Sequence, residues 1–169
     1  MPTLNSAKVA VSAAWDFVTA VDIGTATHSG NWTPSYVFTD GTGANQAKSV
    51  FADERTLTAS STENLDLAGA LTDVFGNTIT FTKVKALIVQ AASGNTNDVL
   101  VGGAASNGFI SWVGDATDIV KVKPGGTFAI VAPDATGLAV TAGTGDILKI
   151  ANSSSGTSVT YKIVVVGTV

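Results

Sequence analysis

One stretch in the C-terminal half sets the expected fold: Ile119-Val120-Lys121-Val122-Lys123-Pro124-Gly125-Gly126-Thr127-Phe128-Ala129-Ile130-Val131-Ala132. Two short apolar runs lie on either side of a Pro-Gly-Gly sequence, and both lysines of the first run fall on one face. Short runs rich in β-branched residues are typical of strands, and Pro and Gly favour tight turns. The stretch therefore predicts two strands separated by a turn.

The same pattern extends over the C-terminal two thirds of the chain. The sequence holds 21 valines, 23 threonines and 18 glycines but only nine leucines and two glutamates, which favours strands over helices. Short strands at regular spacing predict an all-β, antiparallel β-sandwich, and a jelly-roll-like arrangement is its natural packing. Further runs lie at Ile79–Val84, Ala86–Gln90, Val99–Val101, Phe109–Val113, Leu138–Thr141, Ile147–Ala151 and Val159–Val166.

The N-terminal region has a different pattern. Residues 7–20 contain the only hints of helical spacing, although their β-branched content weakens them, and residues 24–30 suggest a loop. Residues 35–39 and 49–52 suggest two strands joined by a long glycine-rich turn. We therefore predict an N-terminal arm or docking segment over residues 1–32 and a β-sandwich domain over residues 33–169.

Residues able to do chemistry are scarce. There is no cysteine, one histidine (His28), two glutamates and one arginine, although acid–base, metal and nucleophilic catalysis depend on these types. The aspartates at 115, 118 and 134 lie in expected turns but do not match the spacing of a calcium-binding loop. The sequence therefore predicts a protein that is not an enzyme, with no catalytic residue, cofactor or metal.

The charge content narrows the choice of partners. Charged residues make up 13% of the chain and the net charge is −4, so the clustered lysine and arginine that bind phosphate are absent from the sequence. No apolar run approaches the roughly 18 residues that span a bilayer. The first residues lack the basic segment of a signal peptide. We expect no nucleic acid, no membrane partner and no export.

Three tryptophans are candidates for interaction sites. Trp112 lies within an apolar run and is expected in the core or at an interface, whereas Trp32 lies between polar residues and could support a sugar ring. Trp15, Phe17 and Val18 are candidate apolar anchors for a partner, because aromatic residues dominate interface energetics. The alternative is that this segment merely covers one edge of the sandwich.

Five segments consist mostly of turn residues between short apolar runs: Glu63–Gly69, Leu71–Gly76, Val113–Asp118, Val122–Gly126 and Val131–Gly137. These segments resemble small structural proteins encoded by tailed bacteriophages, and the resemblance covers about residues 45 to 167. It implies a virion component, either a head decoration (cement) protein or a short fibre, and it carries over no site residue.

The function expected from this resemblance is a non-enzymatic capsid decoration protein, assembled in the host cytoplasm and located in the virion. Its partner would be the major capsid protein or another virion protein. A small homo-oligomer is expected, with a trimer favoured over a dimer. The alternative is a glycan- or receptor-binding module of a fibre or tail, which would use Trp32 and the neighbouring loops.

Overall fold

The computed structural model describes residues 3–169, and every secondary-structure element in that range is a β-strand. None of these residues forms a helix that is long and apolar enough to cross a membrane. The strands are β1 (Ser6–Ala10), β2 (Ala13–Ala20), β3 (Thr25–Trp32), β4 (Ser35–Asp40), β5 (Gln46–Ala47), β6 (Ser49–Leu57), β7 (Thr62–Asp66), β8 (Leu71–Thr72), β9 (Thr78–Ile79), β10 (Lys83–Ala91), β11 (Val99–Gly102), β12 (Ile119–Val122), β13 (Thr127–Val131), β14 (Leu138–Ala139), β15 (Ile147–Asn152) and β16 (Val159–Thr168).

Eight of the strands form two antiparallel sheets. The strand orders are β6-β16-β10-β13 and β7-β15-β11-β12, with β14 added beside β10. Along the chain, β6, β10, β13 and β16 enter the first sheet, while β7, β11, β12 and β15 enter the second. This is the eight-stranded connectivity of a jelly roll. The all-β, antiparallel, jelly-roll-like fold predicted from the sequence is confirmed.

The main core lies between these two sheets. Along β16, Tyr161, Ile163 and Val165 are fully buried and point inward, as expected from the period-two alternation of a strand. Leu148 and Ile150 on β15 meet them from the second sheet.

A second, smaller core lies on the outer face of the first sheet. There, β1, β4 and β5 form a separate three-stranded sheet, in which Val9 and Phe38 are buried. They pack with Ala86 on β10 and Val166 on β16. Since β16 is covered on both faces here, its sequence is a continuous apolar run rather than a strict alternation.

Two expectations about the N-terminal region were wrong. Most of the loop expected at residues 24–30 belongs to β3, and residues 7–20, which gave only weak hints of helical spacing, lie mostly in β1 and β2. The strands at 35–39 and 49–52 do not pair with each other: β4 pairs with β1 and β5, whereas β6 pairs with β16.

Two expected strands further along also differ. Phe109–Val113 is a loop, in which Trp112 donates from Nε1 to the Phe109 carbonyl at 2.8 Å and its ring lies 5.3 Å from that of Phe128. Because Trp112 packs against the main core from this loop, the run is apolar without being a strand. The run Ile79–Val84 is broken, since β9 ends at Ile79 and β10 begins at Lys83.

Candidate assembly surface on the projecting hairpin

Strands β2 and β3 form a hairpin that continues the β1–β4 ladder. The register runs without a shift from Ser6 opposite Thr39, through Ala13 opposite Trp32, to Ala20 opposite Thr25. Between the two halves of the ladder, Val11 donates its N–H to the Pro34 carbonyl at 3.1 Å, while Pro34 has no N–H to return. The two pairs of strands are therefore one long ribbon interrupted at a proline.

The lower half of this ribbon is packed and the upper half is not. In β1 and β4, Val9 and Phe38 are buried against the first sheet of the jelly roll. In β2 and β3, every residue is exposed except Gly30, which is half-buried. The N-terminal segment of residues 1–32 therefore contains a strand that covers the outer face of the first sheet and a hairpin that projects beyond that sheet. The division of the chain at residue 32 stays a prediction.

The upper half of the ribbon has two chemically different faces. Cross-strand partners share a face and successive residues alternate, so the register assigns every side chain. We call one face the aromatic face; it carries Ala13, Trp15, Phe17, Thr19, Ala26, His28, Gly30 and Trp32. The other, the polar face, carries Ala14, Asp16, Val18, Ala20, Thr25, Thr27, Ser29 and Asn31.

Trp15 and Gly30 make the closest side-chain contact on the aromatic face. The two residues are directly opposite each other, and the indole of Trp15 occupies the space over the glycine. A Cβ atom at position 30 would lie 2.4 Å from Cζ2 of Trp15. The indole can therefore keep this position only while residue 30 is glycine.

The other aromatic rings of this face are open to solvent. Phe17 is 69% exposed and its ring centroid lies 6.4 Å from that of His28, its cross-strand partner. Trp32 is 60% exposed at the base of the hairpin. His28 is thus a surface residue whose ring lies tilted beside that of Phe17.

Of the four predicted partner-binding residues, the structure brings three together. Trp15, Phe17 and Trp32 share the aromatic face, whereas Val18, 62% exposed, lies on the polar face. On that face, Ser29 donates its hydroxyl to Asp16 at 2.6 Å. Their role in binding stays a prediction.

Exposed apolar side chains are concentrated on this hairpin. Among residues 3–169, twelve large apolar side chains are exposed, and seven of them lie between Val11 and Trp32. Two of these seven, Val21 and Ile23, lie at the tip of the hairpin, and Ile23 is 96% exposed. No lysine or arginine occurs between Lys8 and Lys48. Because large exposed apolar surfaces are typical of interaction sites, the hairpin is the candidate site.

A separate polar network joins the two sheets of the jelly roll. Tyr161 donates its hydroxyl to Oε1 of Glu63 at 2.5 Å, and Arg55 donates from Nη1 to Oε2 of the same carboxylate at 2.8 Å. Burial, together with the hydrogen bond to Glu63, raises the pKa of Tyr161 well above its usual value. Sequence analysis did not identify this network, because the three residues come from β6, β7 and β16.

Lys85 forms a second buried polar site. It lies at a β-bulge between Val84 and Ala86, and its ammonium group donates to the carbonyls of Gly43 and Asp134. The side chain is fully buried, and this desolvation lowers the pKa of Lys85. Its two partners are backbone carbonyls of separate turns, so the lysine joins these turns to β10.

The carboxylates of the turn aspartates accept hydrogen bonds from backbone N–H groups within the same turns. Asp115 accepts from the N–H and hydroxyl of Thr117, Asp118 from the N–H groups of Gly114 and Asp115, and Asp134 from the N–H of Thr136. These bonds lower the pKa of Asp115 and of Asp134. Within residues 3–169, histidines and acidic residues form no group of three or more that could hold a metal ion.

Comparison with known proteins gives no family. No family model and no curated protein matches the chain. Among solved structures, the IMPa metallopeptidase in complex with T-antigen is similar, at 17% identity over 75% of this chain, with a TM-score of 0.39. The chain spans 14% of that protein's length. A mutant of the unassembled Washington University Polyomavirus VP1 pentamer is 8% identical over 98% of both chains, with a TM-score of 0.17. At these TM-scores neither likeness bears on this chain's fold or function.

Proposed function

We propose that this chain is a non-enzymatic structural protein of a tailed-phage virion, which decorates the capsid as a small homo-oligomer and docks through the β2–β3 hairpin. One observation carries the proposal: the hairpin projects from the jelly roll and holds six of the twelve large apolar side chains that are exposed within residues 3–169. The major capsid protein, or another virion protein, is the partner that this role requires.

The division of the ribbon supports a docking role. The lower half of the ribbon packs on the outer face of the first sheet through Val9 and Phe38, so the base of the hairpin is fixed to the jelly roll. An isolated two-stranded hairpin is marginally stable in water, and a partner that covers the upper half would stabilise it. Burial of a large apolar side chain contributes about 1.5–3 kcal/mol. Trp15, Phe17 and Trp32 together would supply most of the free energy gained when the aromatic face is covered in the assembly.

Binding to heads tests this proposal. Heads would be prepared from the phage that encodes the chain, after deletion of its gene, and mixed with the recombinant chain before sedimentation. We expect saturable binding, and we expect the chain in purified wild-type virions by mass spectrometry. Failure to bind these heads, together with absence from the virion, would overturn the proposal.

A second candidate function is glycan binding at Trp32, which is favoured by the exposure of its indole. Sugar rings stack on exposed aromatic faces, and carbohydrate sites add convergent polar side chains. Here the nearest amide, Asn31, lies on the opposite face of the hairpin. Trp32→Ala should abolish binding on a glycan array without changing thermal unfolding if this function holds. Absence of glycan binding by the wild-type chain excludes it.

A further inference from the structure

We infer that the aromatic face of the hairpin pairs with the same face of a second copy of this chain, about a two-fold axis. The inference deepens the proposed function, because it rests on the hairpin being an assembly surface and names what covers one side of it. The virion partner would then contact the remaining surfaces, including the polar face with Val18 and the tip.

Continuity of the ribbon provides the first argument. The unbroken register places Val9 and Phe38 of the lower half on the same side of the ladder as Trp15 and Trp32. In the lower half, that side packs on a β-sheet of the chain's own jelly roll. The upper half overhangs the body with the same apolar side uncovered. The uncovered apolar side of the upper half is therefore suited to pack against another apolar sheet face, as the lower half does.

Absence of charge provides the second argument. None of the eight residues of the aromatic face carries a carboxylate, ammonium or guanidinium group; the two aspartates of this region, Asp16 and Asp22, lie on the polar face and in the turn. Two copies with a net charge of −4 each repel one another in general. Pairing through this face avoids burying like charges, which would cost several kcal/mol.

The pattern of side-chain sizes provides the third argument. A two-fold axis at the centre of the face, lying in the interface and perpendicular to the strands, sets the first cross-strand pair of one copy against the fourth of the other, and the second against the third. The bulky Trp32 pair would then meet the smallest pair, and Trp15 would meet Phe17 near the axis. The four pairs, in order from the base, are Ala13–Trp32, Trp15–Gly30, Phe17–His28 and Thr19–Ala26.

The area is sufficient for a specific pair. Eight residues at about 3.4 Å each give a face roughly 27 Å long. With two strands and their side chains, the two copies together would bury on the order of 1,000 Å², the lower limit of a specific interface. A three-fold ring needs two different complementary surfaces on each copy, whereas this face offers only itself. We therefore expect two copies here rather than the three that the resemblance suggested.

Native mass of matched variants tests the inference. Phe17 and Val18 are adjacent, similarly exposed and on opposite faces. Light scattering of the full chain should give twice 17.0 kDa, and Phe17→Ser should reduce this to a single chain mass, while Val18→Ser should not. A wild-type monomer, a trimer, or a Phe17→Ser variant that stays paired would each overturn the inference.

Cysteine cross-linking provides a second, independent readout, since the chain has no cysteine of its own. In this arrangement the two copies of residue 28 lie within about 12 Å of each other, too far for a disulfide but within reach of a short bismaleimide. His28→Cys should be linked into a pair by this reagent, whereas Thr27→Cys, on the polar face, should not; equal cross-linking of the two variants would contradict face-to-face pairing. Head binding separates the two proposals. A wild-type monomer that binds heads overturns only the pair, whereas a pair that does not bind heads overturns only the virion role.

Discussion

The indole of Trp15 lies over Gly30, its cross-strand partner, so closely that position 30 has no room for a side chain. This relationship shapes the aromatic face, because the glycine lets the indole of Trp15 lie against the ladder instead of standing away from it. The neighbouring Phe17 and Trp32 remain more exposed than Trp15. The contact also provides a direct way to alter the face without adding polarity.

Gly30→Ala should disturb the aromatic face while leaving the jelly roll intact. The added methyl group would lie 2.4 Å from Cζ2 of Trp15, so the indole must move outward. We expect the dissociation constant of the pair to rise about tenfold or more, which corresponds to about 1.4 kcal/mol. Sedimentation equilibrium measures this change. Gly94→Ala is the control, because a Cβ at position 94 meets nothing within 4 Å; an equal effect of both substitutions would contradict the prediction.

Tyr161→Phe should destabilise the jelly roll by about 1–3 kcal/mol, because a buried hydrogen bond to a charged group is lost. Glu63 would keep its ion pair with Arg55. Urea denaturation monitored by tryptophan fluorescence measures the change. Thr160→Ala, at the half-buried neighbour on β16 whose hydroxyl bonds to that of Thr56, should cost less, and a larger cost there would argue against a role for the Tyr161–Glu63 bond.

The same tyrosine predicts how stability depends on alkaline pH. Its pKa is raised in the folded state, so its contribution to the free energy of unfolding is fully present below about pH 10, the ordinary pKa of tyrosine. Above that pH the unfolded chain loses the proton while the folded chain keeps it, and stability declines. Urea titrations at increasing pH should show a shallower decline in Tyr161→Phe than in wild type; parallel declines would be inconsistent with this coupling.

Lys85→Ala should cost about 2–4 kcal/mol of stability. Truncation removes the buried aliphatic stem and leaves the carbonyls of Gly43 and Asp134 without their donor. Lys83→Ala is the matched comparison two residues away, since the ammonium group of Lys83 bonds to one exposed carbonyl, that of Ala135. We expect Lys83→Ala to cost less than about 1 kcal/mol. Thermal unfolding distinguishes the two variants, and equal losses would contradict the role assigned to Lys85.

The central strands could be predicted because their local patterns agree with their positions. Val159–Val166 and Ala86–Gln90 are β-branched runs that end up covered on both faces, and a Pro-Gly-Gly turn marks the passage from β12 to β13. Phe109–Val113 misled the prediction, because an apolar run in a loop over the core has the same composition as a strand. The contact of Trp112 with Phe128 explains why this loop is apolar.

The hairpin was missed for a different reason. Residues 24–30 are rich in glycine, threonine and serine, which favour loops when they are considered alone. Their pairing with β2 depends on the register between the two strands, which cannot be derived from the local composition. One signal was available: Trp15 and Phe17 are two apart with Asp16 between them, which is the spacing of a strand and places Val18 on the other face.

Removal of the hairpin tests the central claim most directly. Because Val11 and Pro34 are already hydrogen-bonded across the base, residues 13–32 can be replaced by an Asn-Gly turn that closes β1 onto β4. Thermal unfolding would verify that the shortened chain folds. We predict that the folded variant forms no pair by light scattering and no longer sediments with phage heads. A folded variant that binds heads as tightly as the full chain would contradict the claim that the hairpin is the assembly surface.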